Sequence, residues 1–460
     1  MATVLDRPPP TMSAAEAPLT LADAPPRPLG MADQAALWGN LGITLTIPVA
    51  AAFVLSPAGA APLSLAAALA AVAVGSLLGS AVLGLAAVPG ARTGAPAMVL
   101  LRGLFGRRGS YVPTALNVAQ CVGWATVEVV VIADSAARLT GGHLRWLYVV
   151  LAGALATALA LRPLGLVRTL RRYAVWVVLA ASAYLLVQVL RTGLPPLGRG
   201  SWGGFWLAAD VVIAIAVSWA PLASDYSRHS RSGRAAFGGA LAGFAVASTA
   251  YFALGVFALA TIVGADGDVL GALLAVPVGG VALAILVLDE VDEAFANVYS
   301  TALSVQNVRP TLDRRILAIA VGAIAVLLGL LVDIVAYESF LYLIGSVFVP
   351  LYGVVVVDYF VVRRGAWDLG ETAPGRWVMV APWALGFVTY QLVNPGTVGW
   401  WASAWSRVAT DLHFTAQPWM SASLLSFAVA AAATLLVGLL FARQPRSRES
   451  SSSLAASPPA

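Results

Sequence analysis

The chain is a succession of apolar runs separated by short polar loops, and each run is long enough to cross about 30 Å of hydrocarbon, which takes about 20 helical residues. The runs fall near 34–55, 62–88, 111–137, 144–161, 173–190, 205–224, 235–263, 270–305, 316–333, 339–362, 378–394 and 419–442. Hydrocarbon offers no partner to a backbone N–H or C=O, so each run must be a helix that bonds its own backbone. With 60% of residues hydrophobic, 11% charged and a mean hydropathy of +0.85, the chain is no ordinary soluble globular protein. The expected fold is therefore an all-α membrane protein of about twelve transmembrane helices.

Arginine placement tests that count independently. There is no lysine, so all 27 basic residues are arginine. Alternate loops carry most of them: Arg92, Arg102, Arg107 and Arg108; Arg162, Arg168, Arg171 and Arg172; Arg228, Arg231 and Arg234; Arg309, Arg314 and Arg315; Arg363, Arg364 and Arg376. The loops between hold only Arg138, Arg145, Arg191, Arg199 and Arg407. Loops rich in arginine stay on the cytoplasmic side. The alternation thus predicts an even number of helices, with both termini inside a bacterial-type cytoplasmic (inner) membrane. Residues 1–32, rich in Pro and Ala, and the Ser- and Pro-rich 443–460 read as disordered cytoplasmic tails. The external loop 396–419 carries Trp400, Trp401 and Trp405, as an interfacial aromatic belt does.

Within the eighth run the stretch LDEVDEAFANVYSTALSVQN (288–307) places four carboxylates in a segment otherwise fit to span a bilayer. At about 100° per residue Asp289, Asp292, Glu293, Asn297, Ser300 and Ser304 share one stripe of a helix, with Glu290 at its edge. Four acids at the bilayer centre oppose insertion by something like 10 kcal/mol unless neutralised, so the stripe faces protein or water. Protons or a bound cation are the natural neutralisers; the plainer alternative is a cluster near a helix end that reaches water.

The first run, ALWGNLGITLTIPVAAAFVL, sets Asn40, Gly42, Thr44 and Thr46 ahead of Pro48; the sixth, DVVIAIAVSWAPLAS, has Ser218, Trp219 and Pro221 in its second half. Proline removes a backbone donor, so both helices can open at mid-membrane and turn backbone groups toward a ligand. Two such segments five helices apart point to a transporter of inverted repeats, here about 33–190 and 205–362, with its site at the midplane. Helices 378–442 are then additional. In the third run Asn117, Gln120, Trp124 and Glu128 lie within about 80° on a helical wheel, a face that suits a planar, hydrogen-bonding heterocycle or, more plainly, packs against neighbouring helices.

Several of these segments together resemble the nucleobase:cation symporter family, which holds the cytosine, purine, hydantoin and allantoin permeases. The similarity lies in GARTGAPAMVLLRGLFGRRGS (90–110), in Gly123 and Trp124, in SDYSRHSR (224–231), in ANVYSTALS (296–304) and in VDYFVVRRG (357–365). The DEVDEAFANVYS form of the eighth helix is most similar to the branch annotated for hydroxymethylpyrimidine, a thiamine precursor.

The resemblance implies a five-plus-five inverted-repeat fold with two extra C-terminal helices, and import of a nucleobase or related heterocycle by cation symport with alternating access. It implies substrate contacts from Trp124, Glu128, Trp219, Asn297 and Thr46, to which Gln120, on the same face of the third helix as Trp124, is added. It places a coupling cation, Na+ or H+, at the carbonyls of Gly42, Leu45 and Leu288 and at Asp292. There the family's hydroxyl pattern is broken, since Val291 offers no side-chain oxygen. Asp289, Glu290 and Glu293 remain alternative carriers of the coupling charge. No cofactor and no nucleic-acid partner are expected, and a monomer is favoured. His143, His229 and His413 sit in connecting segments without metal-ligand spacing, and Cys121 is the only cysteine, so nothing suggests an enzyme. A channel would need a continuous polar pore rather than broken helices around a closed site.

Overall fold

In the computed structural model, residues 17–165, 175–193, 196–263, 268–331 and 337–442 are described. Residues 1–16, Arg168, Arg171, Arg172 and the tail 443–460 lie outside them. The chain is helical throughout: α1 (Met31–Asn40), α2 (Thr46–Leu55), α3 (Leu65–Thr93), α4 (Ala97–Phe105), α5 (Tyr111–Leu139), α6 (Arg145–Ala160), α7 (Val175–Arg191), α8 (Phe205–Ser218), α9 (Ala220–Ser227) and α10 (Gly233–Ala258). There follow α11 (Val269–Ala275), α12 (Gly279–Asp289), α13 (Val291–Val308), α14 (Arg314–Leu331), α15 (Tyr337–Val356), α16 (Val380–Val393), α17 (Gly399–Asp411) and α18 (Ala422–Ala442). Among the described residues seven helical stretches are long and apolar enough to cross a membrane unbroken. The other expected spans are shorter or interrupted helices.

The interruptions have local causes. Pro48 sits in the first turn of α2 and Pro221 in the first turn of α9, where a missing N–H costs nothing. Each proline therefore opens a new half-helix, and the preceding segment must end before it: α1 stops at Asn40 and α8 at Ser218. The eighth run, expected as one span over 270–305, is instead divided. Val276, Pro277 and Val278 separate α11 from α12 at a turn where Val278 takes a φ of 55°, and α12 passes into α13 at Glu290. The loop 396–419 contains the helix α17, whose Trp401 donates to Gln391 Oε1 at 2.8 Å.

Small residues let the central helices meet backbone to backbone, as membrane helices do when lipid competes for their apolar faces. A Cβ on Gly79 of α3 would stand 2.6 Å from Ala216 Cβ of α8, and one on Gly243 of α10 would stand 2.3 Å from the Ala35 carbonyl of α1.

The segment before α1 is not the loose tail its composition suggested. From residue 17 to residue 30 it lies as a strap across the arginine-rich end of the bundle. Arg314 donates to Pro18 O at 3.2 Å and its N–H to Leu19 O at 2.9 Å, and Gln306 donates to Leu19 O at 2.7 Å. Farther along, Leu29 N–H donates to His229 O at 3.0 Å, and Arg231 N–H to Leu29 O at 2.8 Å. A Pro- and Ala-rich segment has little of its own to bury, but its carbonyls satisfy donors around two connections, α13 to α14 and α9 to α10.

Candidate substrate and cation site

The break between α1 and α2 faces α13, and the acids of the eighth run meet it there. Asn40 Nδ2 donates to Asp292 Oδ2 at 2.6 Å and to Asp289 Oδ1 at 3.2 Å, so one amide bridges two carboxylates. Glu290 caps the second half-helix: its oxygens accept from Thr44 Oγ1 at 2.6 Å and from Leu45 N–H at 2.7 Å. A carboxylate on the N-terminal amides of a helix is favoured by hydrogen bonding and by the helix dipole together.

Beside this cluster lies a polar cavity of about 10 Å³, lined by Thr44, Thr46, Trp124, Glu128, Ile215, Ser218, Trp219, Glu293 and Asn297. That is room for about one water molecule. Trp124 Nε1, Glu128 Oε2 and Glu293 Oε1 are buried with no hydrogen-bond partner. A donor and two acceptors are thus held ready in a space that must widen before a ring can enter. Trp124 is wedged edge-on between Tyr337 and Phe340 of α15, with ring centroids 5.9 and 5.3 Å away. Trp219, at the break between α8 and α9, packs edge-on against Trp38, centroids 6.2 Å apart. Asn297 Nδ2 donates to Glu293 O at 3.1 Å.

Six residues singled out from the sequence therefore meet at one cavity: Thr46, Trp124, Glu128, Trp219, Asn297 and Glu293. Gln120 stands outside its lining and braces the wall, donating to Asn117 Oδ1 at 2.8 Å and to the Ser218 carbonyl at 3.2 Å. Gly42 lies in the break of the first run, against Ala247 of α10, and Leu45 lies at its end. The Leu288 side chain points outward, 71% exposed, which leaves only its backbone to face the site. Asn40 and Thr44 were passed over as site residues. Their signal was present in the sequence, as two polar side chains just ahead of a mid-span proline.

A family model described as "Permease for cytosine/purines, uracil, thiamine, allantoin" matches residues 33–374. Comparison with curated protein sequences gives no match. Among solved structures, Mhp1, a nucleobase-cation-symport-1 family transporter in a closed conformation with bromovinylhydantoin bound, is similar at 18% identity with a TM-score of 0.72, over 94% of this chain and 95% of that one. Mhp1 in its inward-facing conformation gives a TM-score of 0.66 at 18% identity, over 92% and 94%. A Na+-coupled sialic acid symporter in a substrate-bound outward-open state gives 0.59 at 12% identity, over 90% of each chain. These likenesses show the fold, a helical membrane transporter with broken helices, and the family match shows what kind of transporter it is: the chain belongs to the family of permeases for cytosine and purines, uracil, thiamine and allantoin.

Proposed function

We propose that the protein imports an amino-bearing planar heterocycle of the cytosine or purine type, by cation symport with alternating access. The observation that carries this reading is the pair of unpartnered carboxyl oxygens, on Glu128 and Glu293, beside two indoles in one buried cavity. Ring amino and N–H groups supply the donors those oxygens lack, and an indole face supplies stacking area. Uracil, which carries a carbonyl where cytosine carries its amino group, would set acceptor against acceptor at that edge. Hydroxymethylpyrimidine, which also carries an amino group, is the second reading, favoured by the helix-eight sequence. The Trp124, Trp219, Thr46 and Asn297 side chains complete the substrate set, with Gln120 bracing the wall.

The coupling cation, Na+ or H+, belongs at the first break, with the carbonyls of Gly42, Leu45 and Leu288 and the Asp292 carboxylate as its ligands. Asp289, Glu290 and Glu293 surround it. Carboxylate and carbonyl oxygens suit a hard cation. The arginine-rich loops, and with them both termini, face the cytoplasm.

The test is a thermal-shift and binding screen of purified protein against cytosine, adenine, hypoxanthine, hydroxymethylpyrimidine, uracil, hydantoins and allantoin, with and without sodium. Amino-bearing rings should bind and uracil should not; tight binding of uracil or a hydantoin alone would reverse the assignment. For coupling, Asp292→Asn should abolish any sodium dependence of substrate affinity and leave weak, sodium-independent binding. If the coupled ion is a proton, affinity is indifferent to sodium, uptake falls as external pH rises, and Asp292→Asn mimics the protonated state. An Asp292→Asn protein that concentrates substrate with unaltered ion dependence would move the site to Asp289, Glu290 or Glu293.

A further inference from the structure

Between the strap and the loops it crosses lies a second cavity, of about 650 Å³, that shares no lining residue with the substrate cavity. Its walls are the strap from Thr20 to Pro25, the turn from Thr93 to Pro96, Pro310 and Thr311, and residues 369–371. Two arginines, Arg102 and Arg228, line it, and both are buried, 4% and 3% exposed.

The two differ in how they are satisfied. Arg102 is held by Asn307, its Nε donating to Oδ1 at 2.7 Å and its Nη2 to the carbonyl at 2.8 Å. Arg228 Nε is buried with no hydrogen-bond partner, and no ion pair among the described residues includes Arg228. The acid nearest in sequence, Asp225, accepts from Ala97 N–H at 2.8 Å through Oδ1 and leaves Oδ2 buried without a hydrogen-bond partner; its charge eases the burial of Arg228, but the two form no ion pair. Two other acids line the cavity. Glu371 pairs with Arg107 at 3.5 Å, and Asp23 is exposed on the strap. His229 adds no counter-charge: burial, and then Arg228 beside it, push its pKa down to about 3, and its Nδ1 lies 2.8 Å from the Pro26 carbonyl.

A buried guanidinium with an unpartnered Nε is costly unless an anion meets it, and its planar fork matches a tetrahedral oxyanion. We propose that Arg228, assisted by the charge of Arg102, binds a phosphate-type oxyanion in this cavity. Because strap residues form one wall and loop residues the other, the bound anion ties the strap to the bundle. The oxyanion comes either from solution or from the headgroup of an anionic lipid, which basic pockets at a cytoplasmic surface bind.

The full-length protein tests this in lipid-free detergent and in nanodiscs. In detergent, inorganic phosphate should raise the melting temperature saturably over chloride at equal ionic strength, and Arg228→Gln should remove the rise without changing substrate affinity. That result assigns a free oxyanion. If phosphate has no effect but phosphatidylglycerol nanodiscs stabilise the wild type over phosphatidylcholine ones, and not Arg228→Gln, the anion is a headgroup. Should Arg228→Gln fail to fold, tryptic cleavage at Arg27 of the wild type decides: saturating phosphate, or phosphatidylglycerol, should slow it at least fivefold. A wild type whose stability and cleavage respond to neither, or an Arg228→Gln protein that responds as the wild type does, overturns the proposal.

Discussion

Glu128 and Glu293 come from helices far apart in sequence and leave one oxygen each without a partner in the same small cavity. A buried acceptor left unmade costs of the order of 1–3 kcal/mol, so each is a standing preference for a ligand that donates. Glu128→Gln replaces one acceptor by a donor. The expected outcome is an altered order of ligand preference, with uracil gaining relative to cytosine, read from competition binding; an equal loss for every ligand would mean that the side chain does not read the ring. Trp124→Ala removes a stacking surface and should weaken substrate binding by about 1–3 kcal/mol, measured by calorimetry, with the protein still folded. The sequence already placed Trp124 and Glu128 one turn apart on a polar face. It could not show that Gln120, on that same face, is turned to the Ser218 carbonyl, because a helical wheel gives direction and not the distance to the neighbouring helix.

At the scale of elements, the two broken helices were legible because polar residues ahead of a mid-span proline mark the first turn of a new helix, whereas Pro350 lies inside α15 without ending it. The interruption at Glu290 was not legible, since no glycine or proline marks it. What fixes it is a partner from elsewhere: Glu290 takes the Thr44 hydroxyl and the Leu45 N–H of the first break. Asn40 joins the same two elements by giving one amide to Asp289 and Asp292. Asn40→Leu leaves two neighbouring carboxylates without their shared donor and should destabilise the protein by about 2 kcal/mol, by the measure of hydrogen bonds to charged groups. Adding Asp292→Asn should recover part of that loss, because the remaining pair then no longer repels. A double-mutant cycle on melting temperature checks it, and strictly additive effects would show that Asn40 does not act through Asp292.

Across the whole molecule, the strap shows where composition misleads. Residues 17–30 carry no apolar periodicity and read as tail, yet their carbonyls satisfy Gln306 near the end of α13, Arg314 at the start of α14 and Arg231 in the loop before α10. Only the assembled bundle brings those donors together, so no local signal could report them. One titratable side chain sits at this junction. His229 is buried, its Nδ1 is 2.8 Å from the Pro26 carbonyl, and burial with the adjacent Arg228 holds its folded pKa near about 3, against about 6.5 when unfolded. Between those values the unfolded chain binds a proton that the folded chain refuses, so the contribution of His229 to stability is complete above about pH 6.5. It is lost as pH falls toward the folded value, by up to about 1.4 kcal/mol per pH unit. The expected outcome is a melting temperature that drops from pH 7 to pH 5 more steeply in the wild type than in His229→Gln, whose amide can still donate to Pro26. Hydrogen exchange over 17–30 should quicken across the same interval in the wild type alone. Parallel melting curves for the two proteins would assign the acid sensitivity to the buried carboxylates instead, and leave the strap indifferent to pH.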